Sequence, residues 1–138
     1  MKKLKIGFIC VHNSCRSIMA EGICLDKYGD MFEVFSAGSE QRDHVNADAL
    51  RCLERNYNVV GDFNSKLIET LPPLDVVITM GCNVSCPTLA CTYREDFGLD
   101  DPSGMDDMVF DLTAKIIELK LDILVEKINS NKIMGLNV

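Results

Sequence analysis

The clearest chemical potential in this 138-residue chain lies in one short segment, Cys-Val-His-Asn-Ser-Cys-Arg-Ser, which runs from Cys10 to Ser17. A cysteine thiolate is a strong nucleophile, and Arg16 offers a planar set of hydrogen-bond donors that suits a tetrahedral oxyanion. The hydroxyl of Ser17 can donate to the thiolate. We therefore interpret Cys10 as a nucleophile that faces a bound anion. The alternative is a buried cysteine at a strand end beside a solvent-exposed arginine.

The elements on either side would position this segment as an anion-binding loop. The apolar run from Leu4 to Cys10 ends in a polar turn and predicts a buried strand, and a helix is expected from Arg16 to Tyr28, where Gly29 stops it. A loop that enters a helix in this way directs successive backbone N–H groups at one point, where the helix dipole favours negative charge. We expect the Arg16 side chain and the loop residues to bind the oxyanion, the loop residues being Val11, His12, Asn13, Ser14 and Cys15. The same field favours the thiolate form of Cys10.

A candidate general acid lies in the turn sequence Leu-Asp-Asp-Pro-Ser-Gly, residues 99–104. Asp101 directly precedes Pro102, and a proline holds the residue before it extended. A carboxyl group above the loop could donate a proton to a leaving oxygen, which typically contributes about 10²–10⁴-fold in rate. The alternative is an exposed surface charge, since residues 95–111 contain seven acidic residues and no basic one.

The rest of the chain predicts an α/β domain. Further strands are expected over residues 32–36, 74–80 and 93–97, and helices after a capping residue at Asn46 and over about 106–129. On the last helix, apolar residues recur every three or four positions and predict the face that packs on the sheet: Val109, Leu112, Ile116, Leu119 and Ile123. Strands separated by helices indicate a parallel sheet covered on both faces, with ligands beyond the carboxyl ends of the strands. No linker or repeat divides the chain, so residues 1–138 are expected to form a single domain.

Composition excludes several classes of function. The net charge of −7 argues against a nucleic-acid surface, and no stretch approaches the roughly 18 apolar residues that a membrane span requires. The chain lacks the glycine-rich patterns of nucleotide-binding loops. No signal peptide is evident, so we expect a cytoplasmic protein whose seven cysteines are thiols at rest.

Four segments in order resemble the low-molecular-weight tyrosine phosphatase superfamily over nearly the whole chain: residues 10–17, Ser-Ala-Gly-Ser at 36–39, the strand at 75–80, and Asp-Asp-Pro at 100–102. Within it, residues 12–22 and 79–87, which include Met-Gly-Cys and Cys-Pro, look like the arsenate reductases that share the phosphatase fold. The resemblance implies a single three-layer α/β domain, with a four-stranded parallel sheet flanked by helices. It also implies that Cys10 is the nucleophile, Asn13 and Arg16 shape the loop, Ser17 tunes Cys10, and Asp101 is the general acid.

The cysteines distinguish the two activities, because phosphate and arsenate are both tetrahedral oxyanions. Reduction of As(V) to As(III) needs two electrons, which a second thiol can supply by attacking Cys10 and leaving a disulfide. Cys82 is well placed at a strand end, and Cys86 could then attack Cys82 and pass the disulfide to thioredoxin or a similar thiol reductant. This order of thiol attacks resembles the three-thiol relay of the family. Cys91 is the alternative final thiol, although Cys86-Pro87 matches the family pattern. A low-molecular-weight thiol is the alternative reductant.

The predicted function is therefore reduction of arsenate, with phosphate or sulfate as competing oxyanions and with no cofactor. The alternative is a low-molecular-weight tyrosine phosphatase that works through a phosphocysteine, but Ser103, Gly104 and Met105 supply no aromatic residue to flank a phenyl ring. A non-catalytic oxyanion-binding module is a third reading.

Several residues have competing interpretations. The spacing of Cys82, Cys86 and Cys91 suits zinc, but a fourth ligand must come from elsewhere and a domain of this size folds without metal, so no metal is expected. Asn13 and Ser36 resemble part of a potassium site found in some reductases. Cys24 and Cys52 are expected to be core residues. Cys15 is expected either to pack in the loop or to form a protective disulfide with Cys10 under oxidation.

Overall fold

The computed structural model describes residues 2–81 and 89–136. In chain order the elements are β1 (Leu4–Cys10), α1 (Arg16–Tyr28), β2 (Phe32–Gly38), α2 (Ala47–Tyr57), a short 3-10 helix (Ile68–Thr70), β3 (Val76–Thr79), β4 (Tyr93–Asp96) and α3 (Asp107–Asn129). The predicted elements are present. The strand that includes Phe32 runs two residues further than predicted, to Gly38, and the strand predicted over 74–80 is confined to Val76–Thr79.

The four strands form one parallel sheet in the order β2-β1-β3-β4. In its register Cys10 lies opposite Gly38, and Ile9 lies opposite Thr79. The carboxyl ends of β1, β2 and β3 therefore meet at one edge of the sheet, and the loop after Cys10 begins there. This arrangement confirms the predicted fold class.

The two faces of the sheet are covered differently. The face that carries Ile6, Phe8 and Ile78 shares one hydrophobic core with α1, α2 and α3, and these three helices also contact one another. The opposite face carries Ile9, Ala37 and Val77, which pack against Ile68 of the 3-10 helix and against loop residues that include Leu74 and Leu89. Within the described residues, no helix combines the length and the apolar character needed to cross a membrane.

The predicted packing face of the last helix is wrong. Leu112, Leu119 and Ile123 keep 61%, 60% and 48% of their surface exposed, and Val109 keeps 37%. The face of α3 that packs on the core consists instead of Phe110, Thr113, Ala114, Ile117, Leu121, Leu124, Val125 and Ile128. Both rows recur at helical spacing, so periodicity alone does not choose between them. The buried row is longer and contains the aromatic ring, and burying it removes more apolar surface from water.

Candidate active site

The Cys10 sulfur lies at the end of β1 and receives hydrogen bonds from two directions. Sγ lies 2.9 Å from the Ser17 hydroxyl oxygen and accepts the backbone N–H of Asn13 at 3.2 Å. The Asn13 side-chain amide donates to the same Ser17 oxygen at 2.8 Å, which leaves the Ser17 hydroxyl proton to point at the sulfur. The Ser17 hydroxyl and the Asn13 backbone N–H therefore offer the Cys10 sulfur two hydrogen-bond donors.

The loop between Cys10 and Arg16 is fixed by contacts with distant parts of the chain. Asn13 has a φ of +49°, a left-handed conformation that asparagine tolerates better than most residues, and its side-chain oxygen accepts the backbone N–H of Lys66 at 2.8 Å. A Cβ atom on Gly38 would lie 2.5 Å from the Val11 carbonyl oxygen and 2.8 Å from the Asn13 nitrogen. Glycine at the end of β2 thus lets the loop pass directly over the strand.

Arg16, the first residue of α1, joins three parts of the site. Its Nη1 donates to the carbonyl oxygens of Met80 at 3.0 Å and Leu99 at 2.6 Å. The first of these carbonyls follows β3, and the second precedes the candidate acid by two residues. Because one nitrogen is held on the protein, Nε and Nη2 are left to bind an oxyanion.

Asp101 lies across the cavity from Cys10. Its carboxylate accepts the Ser103 N–H at 3.0 Å and the Ser103 hydroxyl at 2.7 Å. Partial burial alone would raise the Asp101 pKa, but these two hydrogen bonds and the guanidinium groups of Arg16 and Arg42 outweigh it, so the pKa lies below its usual value. Asp101 shares a cavity of about 160 Å³ with six loop residues: Cys10, Val11, His12, Ser14, Cys15 and Arg16. The predicted nucleophile, anion ligands and acid are therefore brought together, with Asn13 and Ser17 buried behind them.

Arg42 was missed by the sequence reasoning. Its Nη2 lies 3.2 Å from His12 Nδ1, and His12 Nε2 lies 3.1 Å from the Glu40 carboxylate. The Arg42 backbone N–H donates to Ser65, whose hydroxyl donates to the His12 carbonyl at 2.7 Å. These contacts fix one wall of the loop and bring a second guanidinium close to Asp101. The available signal was the position of Arg42, shortly after the Ser-Ala-Gly-Ser segment.

The described cysteines other than Cys10 divide between the site and the core. Burial raises the pKa of Cys15 to about 12, so this cavity-lining residue is a neutral thiol at pH 7. Cys24 and Cys52 are fully buried in the hydrophobic core, as predicted, and burial raises the pKa of both. The Cys52 sulfur also accepts the Asn56 side-chain amide at 3.4 Å. All five cysteines in the described ranges are free.

Of the three predicted relay cysteines, the described residues include Cys91. Cys82 and Cys86 lie outside the described residues. Cys91 is half-buried on the sheet face opposite the α-helices, and the next residue, Thr92, donates its N–H to the Asp75 carbonyl at 3.0 Å. Asp75 precedes β3, so Cys91 lies at the amino edge of the sheet, whereas Cys10 lies at the carboxyl edge.

The two residues that suggested a potassium site are hydrogen-bonded within the chain. The Asn13 side-chain oxygen accepts the Lys66 N–H, and the Ser36 hydroxyl donates to the Glu21 carboxylate at 2.6 Å. The Lys66 ammonium lies 4.0 Å from the same carboxylate oxygen. Burial raises the Glu21 pKa despite the opposing effects of Ser36 and Lys66. The cation that faces Glu21 in this chain is therefore its own lysine.

Enzymes that form a covalent bond between cysteine and an oxyanion need a cysteine beside an anion-binding loop, and in this chain Cys10 lies beside such a loop where the first parallel strand ends. The family model described as "Low molecular weight phosphotyrosine protein phosphatase" matches residues 5–133. The chain belongs to this family, which confirms the resemblance drawn from the motifs.

Relatives within the family carry two named activities. Arsenate reductase 1 of Staphylococcus epidermidis is 38% identical over 111 residues, covering 77% of this chain and 83% of that protein. A solved structure described as an arsenate reductase in the phosphate binding state has a TM-score of 0.81 at 32% identity, covering 91% of this chain and 98% of its own. The low molecular weight protein tyrosine phosphatase from T. tengcongensis has a TM-score of 0.72 at 26% identity, covering 91% and 99%.

Proposed function

We propose that this chain, acting as a single domain over residues 1–138, reduces arsenate to arsenite with thioredoxin or a similar thiol as the electron donor. The main structural support for this proposal is the position of Arg16, whose Nη1 donates hydrogen bonds to the carbonyl oxygens of both Met80 and Leu99. Cys82 follows Met80 by two positions and Asp101 follows Leu99 by two. The anion site is thus tied to the start of the cysteine segment and to the acid. The named arsenate reductases among the relatives support the same activity.

The first half of the proposed reaction uses the described site. The Cys10 thiolate attacks arsenic, and Asp101 gives its proton to a departing oxygen, which leaves as water. Arg16 and the loop hold the remaining oxygens of the arsenate, as they would hold phosphate or sulfate, which we expect to compete. Asp101 must be protonated for this step, and a bound anion helps because added negative charge beside a carboxylate raises its pKa.

The second half transfers two electrons. The Cys82 thiolate attacks the Cys10 sulfur and forms a disulfide, while the electron pair of the S–As bond remains on arsenic and arsenite departs. A third thiol then attacks Cys82 and frees Cys10, and the reductant reduces the resulting disulfide. We propose Cys86 as that thiol, because Cys91 lies near Asp75, at the sheet edge opposite Cys10. The relay needs the reducing conditions of the cytoplasm, where we propose that the protein acts.

Phosphomonoester hydrolysis is the second candidate, and the family match is the observation that favours it. The same attack by Cys10 on phosphorus would give a phosphocysteine, which water hydrolyses without any further thiol. The segment after Asp101 argues against an aryl substrate, because Ser103, Gly104 and Met105 offer no aromatic ring to flank a phenyl group.

The deciding experiment follows NADPH consumption with arsenate, thioredoxin and thioredoxin reductase, and measures aryl phosphate hydrolysis beside it. We expect Cys10→Ser to lose both activities. Cys82→Ser should stop arsenate turnover after at most one thiol-assisted event while leaving any phosphatase activity in place. Cys91→Ser is the matched control and should keep cycling with arsenate. Normal arsenite release by Cys82→Ser would refute the relay, and aryl phosphate turnover far above arsenate turnover in the unmodified enzyme would favour the phosphatase.

A further inference from the structure

A second cavity, here called the side cavity, adjoins the anion cavity beside the N-terminal end of α2. Its volume is about 170 Å³, and it shares three lining residues with the anion cavity: His12, Ser14 and Asp101. The rest of its lining consists of Arg42, His44, Asn46 and Ser103. A ligand held by the loop after Cys10 can therefore extend directly into the side cavity.

Hydrogen-bond donors dominate the lining of the side cavity. Arg42 contributes a guanidinium, whose one hydrogen-bond partner among the described residues is His12 Nδ1, 3.2 Å from Nη2. The Asn46 side-chain oxygen caps α2 by accepting the N–H groups of Asp48 and Ala49, so its amide nitrogen is the group left to bind a ligand. Both groups can only donate, which suits an anion and excludes a cation.

Of the described residues that line the side cavity, only Asp101 is acidic. Its carboxylate already accepts the Ser103 N–H and the Ser103 hydroxyl, and it faces the charges of both Arg16 and Arg42. The two cavities together thus hold two guanidinium groups and one carboxylate. Arg16 serves the anion beside Cys10, and Arg42 can serve a second anionic group.

The position of Arg42 is fixed at both ends of the residue. Its backbone N–H donates to the Ser65 hydroxyl at 2.9 Å, and its Nη2 donates to His12 Nδ1. Because Nδ1 accepts this bond, the His12 proton lies on Nε2, 3.1 Å from the Glu40 carboxylate. A side chain that is held before the ligand arrives loses little conformational entropy on binding. The planar set of N–H groups on a guanidinium matches the two oxygens of a carboxylate.

We propose that the side cavity is a carboxylate subsite, and that the chain binds small molecules in which a phosphate-type oxyanion is linked to a carboxylate. The oxyanion binds the loop beside Arg16, and the carboxylate binds Arg42, with His44 and Asn46 as further donors. Phosphorylated hydroxy acids are the corresponding chemical class. Arsenate has no substituent that reaches the side cavity, so the inference rests on the proposed anion site and is independent of the proposed reduction.

Calorimetric titration tests the subsite without any turnover. The ligands are phosphonoacetate, phosphonopropionate and phosphonobutyrate, whose linkers increase in length, and each is compared with its own neutral amide. Inorganic phosphate is the reference for the anion site. We expect at least one carboxylate to bind about tenfold more tightly than its amide, the effect of one charge-assisted pair in a partly exposed site. Excess phosphate should displace it.

The role of Arg42 is tested by the affinity ratio of carboxylate to amide, which is internal to each variant. Arg42→Gln should reduce the ratio to about one, and Arg42→Lys should keep part of it, because lysine retains the charge without the planar donors. Arg51→Gln is the matched control, since Arg51 is an exposed arginine of α2 that pairs with Asp48 and lies outside both linings. It should keep the full ratio.

The possible failures are distinguishable. Equal affinities of all three carboxylates and their amides, in a protein that still binds phosphate, would overturn the subsite and leave the anion site in place. A protein that does not bind phosphate would contradict both. A full ratio in Arg42→Gln, with helix content unchanged by circular dichroism, would exclude Arg42 as the carboxylate ligand and would refute the proposal.

Discussion

Asn13 connects the backbone of the loop after β1 to the Ser17 hydroxyl, which lies beside the proposed nucleophile Cys10. Replacing Asn13 separates the effect of backbone strain from the effect of lost hydrogen bonds. The residue is fully buried at a φ of +49°. Its side chain donates to the Ser17 hydroxyl at 2.8 Å and accepts the Lys66 N–H at 2.8 Å. Asn13→Ala removes both hydrogen bonds and leaves a residue that tolerates the left-handed conformation poorly.

The expected loss of stability follows from these contacts. Each hydrogen bond contributes about 0.5–1.5 kcal/mol to the free energy of unfolding. Holding alanine in the left-handed region costs about 1 kcal/mol more than holding asparagine there. Asn13→Ala should therefore lose about 2–4 kcal/mol. Asn13→Gly loses the same hydrogen bonds without the strain, so it should be more stable than Asn13→Ala by about 1 kcal/mol.

Urea unfolding followed by circular dichroism measures these differences, and arsenate turnover is measured on the same samples. Asn13→Asp adds a third comparison, since aspartate keeps an acceptor for the Lys66 N–H but cannot donate to Ser17 and brings a carboxylate towards the Cys10 thiolate. We expect it to lose more activity than its stability predicts. Equal stability of Asn13→Ala and Asn13→Gly would refute the strain argument. An Asn13→Ala variant as stable as the unmodified protein would refute the assigned hydrogen bonds.

Three further predictions concern other parts of the site. Gly38→Ala should cost about 3 kcal/mol of unfolding free energy, because its Cβ meets the Val11 carbonyl at 2.5 Å. Gly104→Ala, where φ is +81° and nothing lies within 4 Å of the Cβ, should cost only about 1 kcal/mol; equal losses in urea unfolding would contradict the close approach. Arg16→Lys should lower kcat/KM for arsenate about 100-fold, because lysine cannot hold two carbonyl groups and still offer a planar pair of donors, and unchanged kinetics would exclude that role. The lowered pKa of Asp101 stabilises the folded protein above the ordinary aspartate pKa, and this contribution disappears as pH falls through the folded value. The stability advantage of the unmodified protein over Asp101→Asn should therefore shrink from pH 6 to pH 3, about one unit below the reference aspartate pKa, and a constant difference would contradict the assignment.

The sequence predicted the fold, and it singled out residues that the structure brings together at the candidate site, because local signals carried both. The apolar run before Cys10 and the helix that starts at Arg16 are readable within a few residues of each other, and their junction defines the anion loop. Asp101 was identifiable because a proline follows it. These features depend on short-range backbone preferences and on residue chemistry.

The supports of the loop could not be predicted, because they come from far along the chain. The partner of the Asn13 side chain is the Lys66 backbone, 53 positions away, and Arg42 reaches His12 across 30 positions. Neither contact leaves a periodic signal. The packing face of α3 was wrong for a different reason: two apolar rows share one helix, and the core selects one of them by the area it buries.

Arg16 connects the candidate anion site to the residues that precede the proposed relay cysteine Cys82. Its Nη1 holds the Met80 carbonyl, and the next residue, Gly81, has a φ of +92° and donates its N–H to the Asp96 carboxylate at 2.8 Å. A Cβ on Gly81 would lie 2.4 Å from the Leu99 nitrogen. The backbone just before Cys82 and the backbone just before Asp101 are therefore in close contact. Arg16 therefore contacts both segments through one side chain. In the proposed reaction, the residue that binds arsenate is thus hydrogen-bonded two positions before Cys82 and two positions before Asp101.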